Sequence, residues 1–188
     1  MERALVGLFA PRLVPYGLRI RILSANEANA LLDKLGIVGI RATKIDIFLE
    51  GRHNGKWVVF GAAHAKASIA ERIQDDVPAS TAFMKRGLLS VALTMDSKSS
   101  PPPGDCINYG EFGGRSVGID KERLKRRYVE VDGQFDGLFS FNLRTPPSAA
   151  KTKSGKRIYT MSLQEKQPDQ LVRFMVERWK SHATGVSI

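Results

Sequence analysis

Asp46 and Lys66 are the residues whose types and setting offer chemistry most directly. Asp46 lies between Ile45 and Ile47 in an apolar stretch, where a carboxylate is costly to bury unless something compensates it. Lys66 comes at the far end of the apolar run WVVFGAA. Carboxylate oxygens are hard ligands that suit Mg²⁺. A lysine ammonium can hold or polarise an attacking water and stabilise charge developing on a phosphate. A metal ion neutralises that phosphate and activates the water. The two residues together suit metal-assisted hydrolysis of a phosphodiester. Taken alone, they are explained as simply by an ion pair of Asp46 with Lys66 or Lys44.

The segment after Lys66 adds to the first reading. It runs HAKASIAERIQDDVPAS, with Glu71 and Arg72 adjacent and Asp75 and Asp76 one turn later. On a helix Glu71 faces Asp75 and Arg72 faces Asp76. Arginine donates two bonds to guanine and glutamate accepts from the amino group of cytosine, so the Glu71–Arg72 pair suits reading of G·C base pairs. A solvated helix with ordinary ion pairs is the alternative. His64 could act as a base or a metal ligand, but a lone histidine late in an apolar strand is more often an interior residue. Cys106 has no evident partner, and GEFGG at 110–114 reads as a turn with Glu111 as a minor candidate for the cleft.

Charge supports a polyanionic partner. The 188 residues contain 29 Lys and Arg against 19 Asp and Glu, a formal balance of +10. Such an excess binds phosphates through counterion release. A single cysteine excludes a disulfide framework and a thiolate zinc site, and points to a reducing cytoplasm. No stretch approaches the roughly 20 apolar residues of a membrane helix. The apolar N-terminal patch, interrupted by Glu2 and Pro11, does not read as a signal peptide. Hydrophobic residues make up 43% of the chain, enough for one real core.

These residues need elements to position them. Residues 17–23 alternate like a strand. Ser24 opens a helix with capping-box spacing to Glu27, and Gly36 stops it. Residues 42–49 predict a strand with Asp46 inside it, 51–55 a hairpin turn, and 56–66 a central partner strand. Asp46 lies five residues before Gly51 and Lys66 eleven after Gly55, so the two arms meet only with a bulge or a stagger. A helix is expected from Ser68, broken at Pro78, with a new turn at 80–86. Residues 88–95 predict a buried strand and 97–105 a loop. Residues 119–128 predict an exposed basic helix, 135–143 and 158–163 strands, and 144–157 a mobile basic loop. Pro168 opens a last helix with Leu171, Val172, Met175 and Trp179 on one face. The order implies an α/β fold, a central mixed sheet with helices on both sides. It implies one domain, with residues 17–95 as the catalytic core and 96–188 as a basic DNA-binding and dimerisation half.

Asp46, then Lys66, Ser68, Glu71 and Arg72, with the runs KASIAERIQDDVPAS and FDGLFSFNLRTPPS, resembles the PD-(D/E)XK nucleases. Within them it is most similar to type II restriction endonucleases of the BsaWI-like group, which cut CCGG-type sites. The resemblance covers residues from about 40 to 180. It implies a restriction-endonuclease-like fold, Mg²⁺ as cofactor, double-stranded DNA as substrate and a homodimer matched to a palindrome. Asp46 would bind metal and Lys66 would be the catalytic lysine. The acidic residue usual two positions before that lysine is replaced by His64. A helix carboxylate must then complete the site, from Glu71, Asp75 or Asp76, with Glu71 taken as catalytic and metal-binding. Arg72, with Ser68, Asp75 and Asp76, would face the bases. Arg144, Lys151 and Lys153 would meet the duplex from the basic half. A repair nuclease of the same fold and a non-enzymatic basic binding protein are the alternatives.

Overall fold

The structure, a computed structural model, describes residues 1–68, 73–97, 110–112, 124–164 and 166–185. It is built on one six-stranded mixed sheet whose strands follow chain order. The strands are β1 (Leu18–Arg21), β2 (Ile47–His53), β3 (Lys56–Lys66), β4 (Leu89–Thr94), β5 (Gly137–Ser140) and β6 (Arg157–Thr160). β1, β2 and β3 pair antiparallel, and β3 through β6 run parallel. The helices are α1 (Glu2–Leu13), α2 (Ala25–Lys34), α3 (Ile73–Lys85), α4 (Leu124–Glu130) and α5 (Gln170–Gly185).

Side-chain alternation along each strand sorts the core into two faces. Ile47 and Leu49 of β2 with Ala63 and Ala65 of β3 pack against Leu5, Phe9 and Leu13 of α1 and Leu171, Met175 and Trp179 of α5. Phe48 and Ala62 point the other way, onto Leu32 of α2 and Phe83 of α3. Beyond them, Ala92, Leu138 and Ile158 pack with Ile73 of α3 and Val129 of α4. The central strand β4 is buried along its whole length, as befits a parallel strand covered by helices on both faces.

Several local expectations hold. Ser24 caps α2 in a capping box with Glu27. The last helix carries the expected apolar face but starts at Gln170, two residues after Pro168, with Asp169 accepting from the Val172 amide at its entry. Others are corrected. Residues 42–44 form a 3-10 turn, so Asp46 stands at the entry of β2 rather than in mid-strand. Residues 51–53 continue β2, and only Asn54-Gly55 make the turn, both with positive φ, the conformation that two-residue hairpins favour. Pro78 does not break α3. It lacks the N–H that would bond to the carbonyl of Gln74, but both residues are exposed, so water can satisfy that carbonyl. The apolar N-terminal patch is α1, whose Leu5, Phe9 and Leu13 cover the sheet.

The basic second half is less free than its composition predicts. Within α4, Arg126 bonds Glu130 and the carbonyls of Phe112 and Pro146, and Lys125 pairs with Glu111. The segment 144–157 is tied down: the Ser148 amide bonds the Ile158 carbonyl and the Ser154 amide the Glu130 carbonyl. Lys156 is committed to the buried Asp136.

Candidate active site

The slip needed to bring Asp46 to Lys66 is a bulge between Leu49 and Glu50. Below it Ile47 pairs with Ala63, and extending that register by one residue sets Asp46 opposite His64. Asp46 Oδ2 accepts from the Ala65 amide at 2.8 Å and from Lys66 Nζ at 2.5 Å. The alternation that turns Ala63 and Ala65 toward α1 and α5 turns His64 and Lys66 toward α3. Asp76 of α3 meets them there, its Oδ2 3.9 Å from Lys66 Nζ.

Asp76 is only 4% exposed. Burial pushes its pKa up from 3.8 to about 6; Lys66 and Lys44 pull it down, and Asp46 and Asp75 push it further up. Two carboxylates therefore converge on one ammonium, in a place where a second positive charge would be welcome. Asp46 and Asp76 offer the hard oxygens and the small number of protein carboxylates that Mg²⁺ takes, leaving its other positions to water and phosphate. Among the described residues no group of three or more His, Cys, Asp or Glu is gathered for a metal.

Glu2, at the first position of α1, is the residue that sequence reasoning did not reach. Its pKa is held below the usual carboxylate range, first by a backbone hydrogen bond, against partial burial, and further by the α-amino group and Lys66. It thus stands within electrostatic reach of the site. Only the packing of α1 on the sheet brings it there, and no spacing in the sequence signals it.

His64 is an interior residue, 1% exposed. Burial, helped by Lys66, lowers its pKa to about 3, so it is neutral. Its Nδ1 lies 3.2 Å from the Lys44 carbonyl and its Nε2 3.3 Å from Ser90 Oγ. Ser90 Oγ is 2.6 Å from Ser80 Oγ, which donates to the Gln134 carbonyl. This buried chain ties the turn before Asp46 to β3, to β4 and to α3, the elements that carry the site. Because a carbonyl only accepts, Nδ1 bears the proton. Both ring nitrogens face structural partners, as suits an interior residue.

No family profile matches the chain. The type II restriction enzyme AgeI of Thalassovita gelatinovora is 39% identical over 183 residues, covering 93% of this chain and 64% of that enzyme. A solved specific AgeI–DNA complex superposes with a TM-score of 0.81 at 38% identity, covering 94% of this chain and 65% of that one. This chain shares its fold with AgeI and resembles it in sequence along most of its own length. A pre-specific BsaWI–DNA complex, at 20% identity and a TM-score of 0.62, covers 98% of this chain and 63% of its own and has the same fold. The chain spans just under two thirds of the length of these restriction endonucleases.

The restriction-endonuclease fold distributes the remaining candidates unevenly. Glu71 and Arg72 lie outside the described residues, as does Cys106. Ser68 is half-buried, and its Oγ has no hydrogen-bond partner among the described residues. Asp75 is exposed at the rim and pairs with Lys44 at 3.4 Å. Asp76 is buried and turns inward to Lys66. Arg144, Lys151 and Lys153 are exposed. Glu111 is buried against Lys125.

Proposed function

We propose that this chain carries the catalytic centre of a sequence-specific type II restriction endonuclease that hydrolyses double-stranded DNA with Mg²⁺. The observation that carries the reading is the convergence of Asp46 and Asp76 on Lys66, in a fold shared with AgeI. Asp46 and Asp76 hold the metal, and Asp76 takes the carboxylate role that the sequence left open among Glu71, Asp75 and itself. Glu2 adds negative charge at the rim. When bound, the metal neutralises the scissile phosphate and lowers the pKa of water. Lys66, fixed by Asp46, orients the attacking water and stabilises charge on the phosphate oxygens. Arg72 reads guanine within a G·C-rich palindrome of CCGG type. Lys151 and Lys153 meet phosphates, which fix register and carry no sequence information. A homodimer would place one such site on each strand of the palindrome.

Digestion of a sequenced phage genome with Mg²⁺, with the ends mapped, tests this. Discrete fragments whose ends share one palindromic sequence are expected, and a chelator abolishes them. A smear points to a nuclease without sequence preference. Intact DNA under all divalent cations overturns the enzymatic reading.

A further inference from the structure

The parallel strands align one row of residues across the sheet: Lys66 pairs with Thr94, Thr94 with Ser140 and Ser140 with Thr160. The loop 141–147 leaves β5 one residue past that row, on the same sheet edge as the catalytic lysine. Its underside is a polar network centred on the buried side chains of Asp96, Ser140 and Thr145. Thr145 Oγ1 donates to Asp96 Oδ2 at 2.6 Å, and Ser140 Oγ lies 2.8 Å from Thr145 Oγ1. Thr145 has spent its proton on Asp96, so Ser140 is the donor. Asn142 Nδ2 donates to the Asp96 carbonyl at 3.1 Å, the Arg144 amide donates to Asn142 Oδ1 at 3.0 Å, and Thr160 Oγ1 donates to the Thr145 carbonyl. Asp96, Ser140 and Thr145 are at most 1% exposed. Asp96 also accepts from the Phe112 amide at 3.4 Å, which joins the 110–112 segment to the same hub.

The tip that this network holds touches little. Leu143 is 69% exposed. Arg144 is exposed, and its guanidinium makes no hydrogen bond or ion pair among the described residues. A single exposed leucine is ordinary. An exposed leucine beside an unpaired arginine, on a loop fixed from below by buried side chains, is a contact tip carried on a rigid support.

We infer that Leu143 and Arg144 form a preorganised reading tip for duplex DNA, and that Asp96 and Thr145 are positioning residues for it. This rests on the reading of the chain as a duplex-cutting enzyme and assigns it a further specificity element. The acceptor edge of guanine matches the arginine fork, and the thymine methyl group or the face of an unstacked base step matches the leucine. The absence of acid from 144–157, with Lys151 and Lys153 exposed on the same loop, keeps the approach of phosphates favourable.

A randomised duplex library digested with Mg²⁺, with the cut ends sequenced, tests the inference on wild type, Leu143→Ala, Arg144→Ala, Thr145→Val and Thr145→Ser. Leu143→Ala and Arg144→Ala should each lower the preference at the same base pair or adjoining base pairs by about tenfold or more, the scale of one lost bidentate contact. Thr145→Val should reproduce that loss, and Thr145→Ser, which keeps the hydroxyl, should restore it. Unchanged preference in both tip variants, or a uniform loss of rate at every sequence, overturns the inference. If wild type cuts no duplex, the nuclease reading fails by itself. The tip is then judged by duplex binding in fluorescence anisotropy, where sequence-dependent weakening in the tip variants supports it and unchanged affinity overturns it.

Discussion

Asp76 lies 3.9 Å from the ammonium of Lys66, on a helix the chain reaches only after leaving the strand that Lys66 ends. Lys66 is at the same time 2.5 Å from Asp46. One cation is thus shared by two carboxylates from different elements, and the buried one of the two holds its proton more tightly than an ordinary aspartate.

Removing that cation should separate chemistry from binding. In Lys66→Ala the phosphate loses its fixed donor, and cleavage should fall by about 10²–10³-fold or more, as when a single charge-stabilising donor is lost. Duplex binding, which depends on the basic surface, should change by no more than a few-fold. Single-turnover cleavage and an anisotropy titration on the same protein check both. A loss of binding equal to the loss of rate would assign Lys66 to anchoring instead.

The pH dependence follows from Asp76. Its pKa rises from 3.8 to about 6 on folding. Between those values the folded chain binds more protons than the unfolded one, so Asp76 makes stability fall as pH climbs through that window. Cleavage should move the opposite way. It needs the ionised carboxylate, so the rate should rise through about pH 6, with a midpoint that shifts down as Mg²⁺ is raised. Asp76→Asn should therefore melt higher than wild type at pH 8 while losing cleavage. Thermal melts at pH 5 and 8 and a rate–pH profile at two Mg²⁺ concentrations measure these opposite trends.

His64 should matter for stability and little for chemistry. His64→Leu leaves the Lys44 carbonyl and Ser90 without their ring partner, at a cost of about 1–3 kcal/mol for buried polar groups left unpaired. The rate at saturating Mg²⁺ should stay within about tenfold of wild type, whereas loss of a general base would cost about 10²–10⁴-fold. Urea denaturation beside single-turnover rates distinguishes the two roles.

Gly51 of β2 leaves room for the Trp179 ring of α5. A Cβ there would fall 2.3 Å from the Trp179 ring, which also packs on Phe60 at a centroid distance of 5.4 Å. Gly51→Ala should destabilise the fold by about 1–3 kcal/mol through overpacking. Trp179→Leu in the same chain should recover part of the loss, as denaturation midpoints of the single and double variants would show.

Sequence by itself determined many of the elements and singled out the pair Asp46 and Lys66. The capping box at Ser24, the continuous apolar run of β4, the α5 stripe through Trp179 and the mixed α/β order all follow from short-range spacing, which the local backbone must obey whatever surrounds it. Asp46 and Lys66 were legible because an aspartate amid isoleucines and a lysine at the end of an apolar strand are conspicuous in one dimension. Tertiary structure decided the rest. The unequal arms required a bulge or a stagger, but only strand pairing fixes it as a bulge at Leu49–Glu50, which sets the residue that faces Asp46. Asp76 rather than its exposed neighbour Asp75 reaches Lys66, because the rotation of α3 on the sheet sends one side chain inward and the next to the rim. Glu2 comes within electrostatic reach of Lys66 only through the packing of α1. Arg126 and Lys156 read as free basic charge in the sequence, and only the folded chain supplies the carboxylates, Glu130 and Asp136, that engage them.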